Sequence, residues 1–188
     1  ALYGFCSGIF MLACKSSSDI TPASTNTTNT GGTTTTPNIS ITKTSTSFID
    51  SAFTPYKSAN LATNWDETYF YVSSNGIPAH NMMVGITSWQ QQVPIAQPYT
   101  GTNHWSIPLA PVYAATPVST KSNFMKGAVA LAVNGVPIFN ALNNRGEDSY
   151  QIGELDQWGG HCGKGDDYHY HAAPLHLSST SGLKPIAF

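Results

Sequence analysis

The sequence predicts a mostly-β fold, sandwich-like, with short strands, tight turns, long ordered loops and at most one or two short helices. Three observations carry this expectation. Tyr, Trp, Val, Ile and Thr recur in short blocks, and these residues suit a pleated, half-buried surface. Gly, Asn and twelve prolines interrupt the blocks. No long run repeats its apolar residues every 3.6 positions, so no extended amphipathic helix is expected.

Strands are expected at residues 68–73, 82–87, 104–107, 128–133 and 168–171. Turn signals separate them at Asn75-Gly76, Gly101 and Asn134-Gly135. The last joins the apolar runs LAV and VPIF as a hairpin turn would. The best helix candidate is residues 149–155, with Asp148 placed to cap it. Residues 38–48, NISITKTSTSF, alternate well enough to add a strand where an edge is offered. The chain ends with Lys184-Pro185-Ile186-Ala187-Phe188, an apolar run echoing AVALAVNGVPIF at 128–139. That echo predicts that the C-terminal part of the fold is missing and continues past Phe188.

Composition sets the organisation. The 188 residues suffice for one domain with a real core, and the formal net charge is −2. No basic face points to nucleic acid. Only 10% of residues are charged, so Ser, Thr, Asn and Gln must supply solubility, as on many cell-surface proteins. Residues 1–14 read as a signal-like apolar segment, too short to span a bilayer. Met11-Leu12-Ala13-Cys14 resembles a bacterial lipoprotein cleavage box, with Cys14 as the lipidated residue. Residues 15–47 are more than half Ser or Thr and read as a flexible stalk. Residues 48–188 form the β domain. These features predict an exported protein, at the outer surface or in the periplasm, anchored to the membrane through Cys14. If the apolar segment is retained, residues 1–48 must pack on a neighbouring subunit or in lipid. Asp50-Ser51-Ala52 resembles a short bacterial O-glycosylation signal, with Ser51 as acceptor.

The chemistry concentrates in residues 159–176, GGHCGKGDDYHYHAAPLH, which hold four of the six histidines. In Tyr168-His169-Tyr170-His171, strand geometry puts both imidazoles on one face and both phenols on the other. His169 and His171 are therefore the leading metal ligands. His161, Cys162, His176 and His80 are further candidates. Imidazole, with or without Cys or Met sulfur, suits copper or zinc. Asp166, Asp167, Glu154, Asp156, Glu147 and Asp148 hold six of the ten carboxylates. They offer additional ligands, outer support for ligating histidines, a calcium site, or plain turn chemistry. Arg145 is expected to pair with one of them. Cys162 is either a ligand, a nucleophile or a small buried residue.

The stretches Asn134-Gly135-Val136-Pro137-Ile138-Phe139, Asn143-Asn144-Arg145-Gly146-Glu147-Asp148, Gly153-Glu154-Leu155-Asp156, Gly159-Gly160-His161-Cys162-Gly163 and Gly165-Asp166-Asp167-Tyr168-His169-Tyr170-His171 resemble the bacterial YHYH domain family. Gly76-Ile77-Pro78-Ala79-His80-Asn81-Met82-Met83 and Ser88-Trp89-Gln90-Gln91-Gln92-Val93-Pro94 look like its first half. The resemblance covers roughly residues 69–188. It implies a secreted or membrane-anchored protein, and a second Asp-Gly-x-Pro-Ile turn beyond Phe188. It implies no particular activity, because the family is named for a motif.

Three functional classes follow. One is a copper- or zinc-binding surface protein. The second is a structural surface or filament subunit assembled through residues 1–48. The third is a metal-dependent enzyme, such as a hydrolase, with Glu154 or Asp167 as general base. A metal-free variant of the third would use Cys162 as nucleophile and His161 or His169 as base.

Overall fold

Two small sheets and two short helices make up the fold, as the mostly-β expectation requires. The computed structural model describes residues 42–90, 92, 103–163 and 168–188. Cys14, the stalk up to residue 41, Gly101, and Asp166 and Asp167 lie outside the described residues.

Helix α1 is Thr46–Phe53, where a strand had been an option up to residue 48. Ser45 caps it, its hydroxyl accepting from the Phe48 amide. Ile49, Ala52 and Phe53 are buried at i, i+3 and i+4, one face of a helix. A 3-10 turn, Thr54–Tyr56, carrying Pro55, ends the element. The Ser/Thr-rich composition hides this helix, because only three apolar residues face inward.

The first sheet is antiparallel, in the order β1 (Leu61–Trp65), β2 (Tyr69–Ser74), β3 (His104–Pro108). β2 and β3 lie where the alternation predicts them. β1 was not expected, since LATNW carries only two large apolar residues. The Asp66 carboxylate closes the β1–β2 turn by accepting from the Thr68 and Tyr69 amides.

The second sheet is mixed. Its order is β4 (Ala130–Leu131), β5 (Pro137–Ile138), β7 (Tyr168–Tyr170), β6 (Gly160–Cys162). β5 and β7 run parallel; the other pairs are antiparallel. Asn134-Gly135 makes the tight turn between β4 and β5, with the Gly135 amide bonded to the Ala132 carbonyl at 2.8 Å and φ at 82°. A Cβ on Gly135 would lie 2.3 Å from Ser74 Oγ and 2.8 Å from Leu61 Cδ1. The hairpin tip is thus pressed against the first sheet, and only glycine fits there. Along the other side of β4, Leu131 and Phe188 exchange backbone hydrogen bonds of 2.7 and 2.9 Å.

Both sheets feed one hydrophobic core. Phe53 of α1 stacks on Phe70 and on Phe188, each at 5.8 Å between centroids. Val72, Leu109, Val133, Val136, Cys162, Tyr168 and Tyr170 are fully buried with them. A short helix α2, Ser178–Ser181, follows a 3-10 turn, Leu175–Leu177.

Two expected elements take other forms. Residues 82–87 are turns rather than a strand. Met83 sits at φ 67°, its amide held by an Asp156 carboxylate oxygen at 3.0 Å. A side-chain acceptor has replaced the strand neighbour that MMVGI would need. Residues 149–155 form one helical turn, not a helix. Asp148 does cap it, accepting from the Tyr150 and Gln151 amides. Gly153 at φ 79° then breaks it, packed where a Cβ would meet Thr87 Oγ1 at 2.1 Å. The strand expected at 128–133 shortens to Ala130–Leu131.

Candidate metal centre

The β6–β7 pair builds the site. Antiparallel register sets His161 opposite His169, so the two side chains share a face. His171 joins them two positions on from His169, just past the end of β7. The three rings form a near-equilateral cluster, each pair 4.9 Å apart between centroids. One ligand nitrogen from each lies within 4.8 Å of the others. All three residues are buried.

Backbone carbonyls fix two of the tautomers. His161 Nδ1 donates to the Glu154 carbonyl at 2.9 Å. His171 Nδ1 donates to the Asn140 carbonyl. A carbonyl only accepts, so these nitrogens carry the protons and each Nε2 keeps its lone pair. His169 Nε2 lies 3.1 Å from His171 Nε2. Two nitrogens on a tetrahedral zinc would stand about 3.3 Å apart, from Zn–N bonds of about 2.0–2.1 Å. With no metal bound, the same spacing lets His169 Nε2–H donate to His171 Nε2. Phe139 stacks on His169, with centroids at 4.2 Å and planes 19° apart, and fixes that ring.

Burial keeps His171 neutral. The His171 pKa is pushed down to about 4, chiefly by burial and also by the neighbouring His161; the Asn140 carbonyl works the other way. Neutral imidazole is the metal-binding form. Among the described residues, these three form the group of His, Cys, Asp and Glu able to hold an ion.

The other predicted candidates are placed elsewhere. Cys162, the last residue of β6, points into the hydrophobic core, and its amide donates to Met83 Sδ. His80 and His176 sit on the tyrosine side of β7, with His80 stacked on Trp158 at 5.0 Å and His176 edge-on to it at 4.9 Å. His80 Nδ1 bonds the Asn81 carbonyl and Nε2 lies 3.0 Å from the Tyr170 hydroxyl, which also accepts from Asn134. Both ring nitrogens of His80 are engaged. Burial lowers the pKa of His80 and of His176, and raises those of Tyr168 and Tyr170.

The carboxylates play separate parts. Asp156 is a structural hub that accepts from the Met83, Trp158 and Gly160 amides and from the Tyr168 hydroxyl. It ties the loop before β6 to both strands. Glu154 is buried and paired with Arg145, and accepts from Asn143 at 3.1 Å. Glu147 takes the other side of the same guanidinium at 2.5 Å; its carboxyl pKa is lowered by the Asn143 amide and by Arg145. The expected pairing of Arg145 is therefore twofold. Asp148 is the turn cap already described. Ser51 lies in α1, its hydroxyl bonded to the Phe48 carbonyl.

A cavity of about 510 Å³ opens over the triad. Its wall includes Met125, Lys126, Phe139, Leu142, Arg145 and Glu154. Asn140 holds part of this wall in place, donating to the Thr120 and Asn123 carbonyls while its own carbonyl orients His171. Phe139 and Asn140 were not anticipated as site residues. Their signal was their place directly after VPI, just past the strand that runs parallel to YHY.

Fold and site together define a mostly-β domain with a buried three-histidine cluster, able to hold a metal, on the wall of a cavity. No protein-family model, curated protein or solved structure matches the chain. No helix among the described residues is long and apolar enough to cross a membrane.

Proposed function

We propose that the protein binds one zinc or copper ion through His161, His169 and His171, as an exported, lipid-anchored bacterial surface protein. The observation that carries the metal reading is the pair of Nδ1–H···O=C bonds that aim lone pairs from His161 and His171 into the cluster. Outer-shell bonds of this kind orient ligands and raise their basicity. An all-imidazole set suits zinc and copper(II). The sulfurs that would have favoured copper(I), on Met83 and Cys162, lie on the core side of the strands. The surface location rests on the lipobox-like Cys14, the Ser/Thr-rich stalk and the resemblance to the YHYH family.

Competition titration against a chromogenic chelator tests the metal reading. One ion should bind per chain. His161→Ala and His169→Ala should each weaken binding by at least about 100-fold. His176→Ala and His80→Ala should leave it within a few-fold. Equal losses at His176 or His80 would contradict the assignment.

A metal-dependent enzyme is the second reading. Its support is the cavity, which gives a fourth coordination position access to small molecules. Glu154, on the same wall, is the candidate general base, and its pairing with Arg145 sets its orientation. Calcium finds less support: among the described residues no three carboxylates converge.

A further inference from the structure

We infer that the cavity beside the triad binds a small carboxylate with a short apolar body, its carboxyl group completing the metal's coordination. The inference rests on the metal reading above and deepens it.

Charge is the first argument. Among the described residues, the charged side chains lining the cavity are Lys126, Arg145 and Glu154. Three neutral imidazoles bring no charge to a divalent ion. Even with Glu147 counted on the far side of Arg145, the loaded site holds an excess of positive charge among the described residues. A partly buried excess of that kind is relieved by an anionic ligand. Free donors are the second argument. Arg145 spends Nε on Glu147 and Nη2 on Glu154. Its Nη1 makes no hydrogen bond among the described residues, so it offers N–H donors where it lines the cavity. Lys126 is solvent-exposed on the same wall and adds a mobile cation.

Shape and polarity select the class of anion. A volume of about 510 Å³ is far larger than a water or hydroxide needs. Met125, Phe139 and Leu142 give part of the wall an apolar character. An inorganic anion would leave that surface wet. A carboxylate carrying an alkyl or aryl group would fill both parts. A bound carboxylate would complete the set held by His161, His169 and His171 with one oxygen, and Arg145 and Lys126 on the same wall would offer donors to the other.

The test uses the full chain loaded with cobalt(II), whose visible bands report its ligands. Acetate, butyrate and benzoate are titrated against their neutral amides, and against chloride and azide. The expected result is a band change with carboxylates only, with butyrate and benzoate tighter than acetate by at least about tenfold. Lys126→Gln should weaken butyrate several-fold and leave cobalt affinity unchanged. Azide and chloride matching butyrate would overturn the inference, as would bands that no carboxylate moves; in both cases the metal site would stand. Failure to take up cobalt, zinc or copper at all would remove the metal reading and this inference with it.

Discussion

His171 is the residue where local physics is most exposed. Its pKa in the fold is about 4, well below the ordinary value near 6.5, because burial penalises the charged ring. Between those two values the unfolded chain binds a proton that the fold does not. Stability is therefore fully present above pH about 6.5 and is lost as pH falls toward 4. His80 and His176 are shifted in the same direction and add to the effect. Thermal melts of the metal-free chain should fall in midpoint across this window, and less steeply in a His171→Gln variant. A flat profile between pH 6.5 and 4 would contradict a buried, neutral His171. At this scale the sequence was legible in part. YHYH placed His169 and His171 on one face from periodicity alone. His161 was named among neighbours, but its place opposite His169 depended on a β6–β7 register that no spacing rule supplies. His176 and Cys162 are as close in sequence. They diverge because Pro174 turns the chain and because Cys162 sits one position out of phase with His161.

Elements set the geometry that residues use. β6 and β7 are three residues each, so few ladder bonds hold the triad in register. Gly160 keeps them close. A Cβ there would lie 2.7 Å from the His169 carbonyl oxygen and 2.7 Å from the Tyr168 ring. Gly160→Ala should force the strands apart, destabilise the fold by about 1–3 kcal/mol and weaken metal binding by at least about tenfold. Denaturant melts and the chelator titration read the two effects separately. Unchanged metal affinity would mean that the pairing does not position the site. The Asn134-Gly135 hairpin was legible because its turn chemistry is local. α1 and β1 were not, because each needs only two or three inward residues from a polar stretch. The strand expected at 82–87 failed for a different reason: Asp156, 73 positions away, captures the Met83 amide. Long-range polar contacts leave no periodic mark.

The whole molecule couples the site to the core. One face of β7 carries the histidines and the other buries Tyr168 and Tyr170 among residues from both sheets. Phe53 joins α1, β2 and the C-terminal residues in that core. Phe53→Ala should cost about 3–5 kcal/mol, read by denaturant unfolding. Excess zinc should restore part of it, about 2.7 kcal/mol at a hundredfold excess over Kd, because the ion binds only the folded triad. No restoration would separate the site from the fold. The mostly-β class was readable at this scale from composition and turn residues. The shared core of the two sheets was not, since it is set by contacts such as Gly135 against Ser74 and Leu61.

The most direct test of the metal centre is the metal content of the purified full chain, measured by mass spectrometry after zinc or copper reconstitution and desalting. It should be compared with a His161→Ala, His169→Ala double variant whose fold is checked by circular dichroism. One ion per chain in the parent and none in the folded variant is the predicted result. A parent that retains no ion, or a folded variant that keeps its ion, would contradict the three-histidine site.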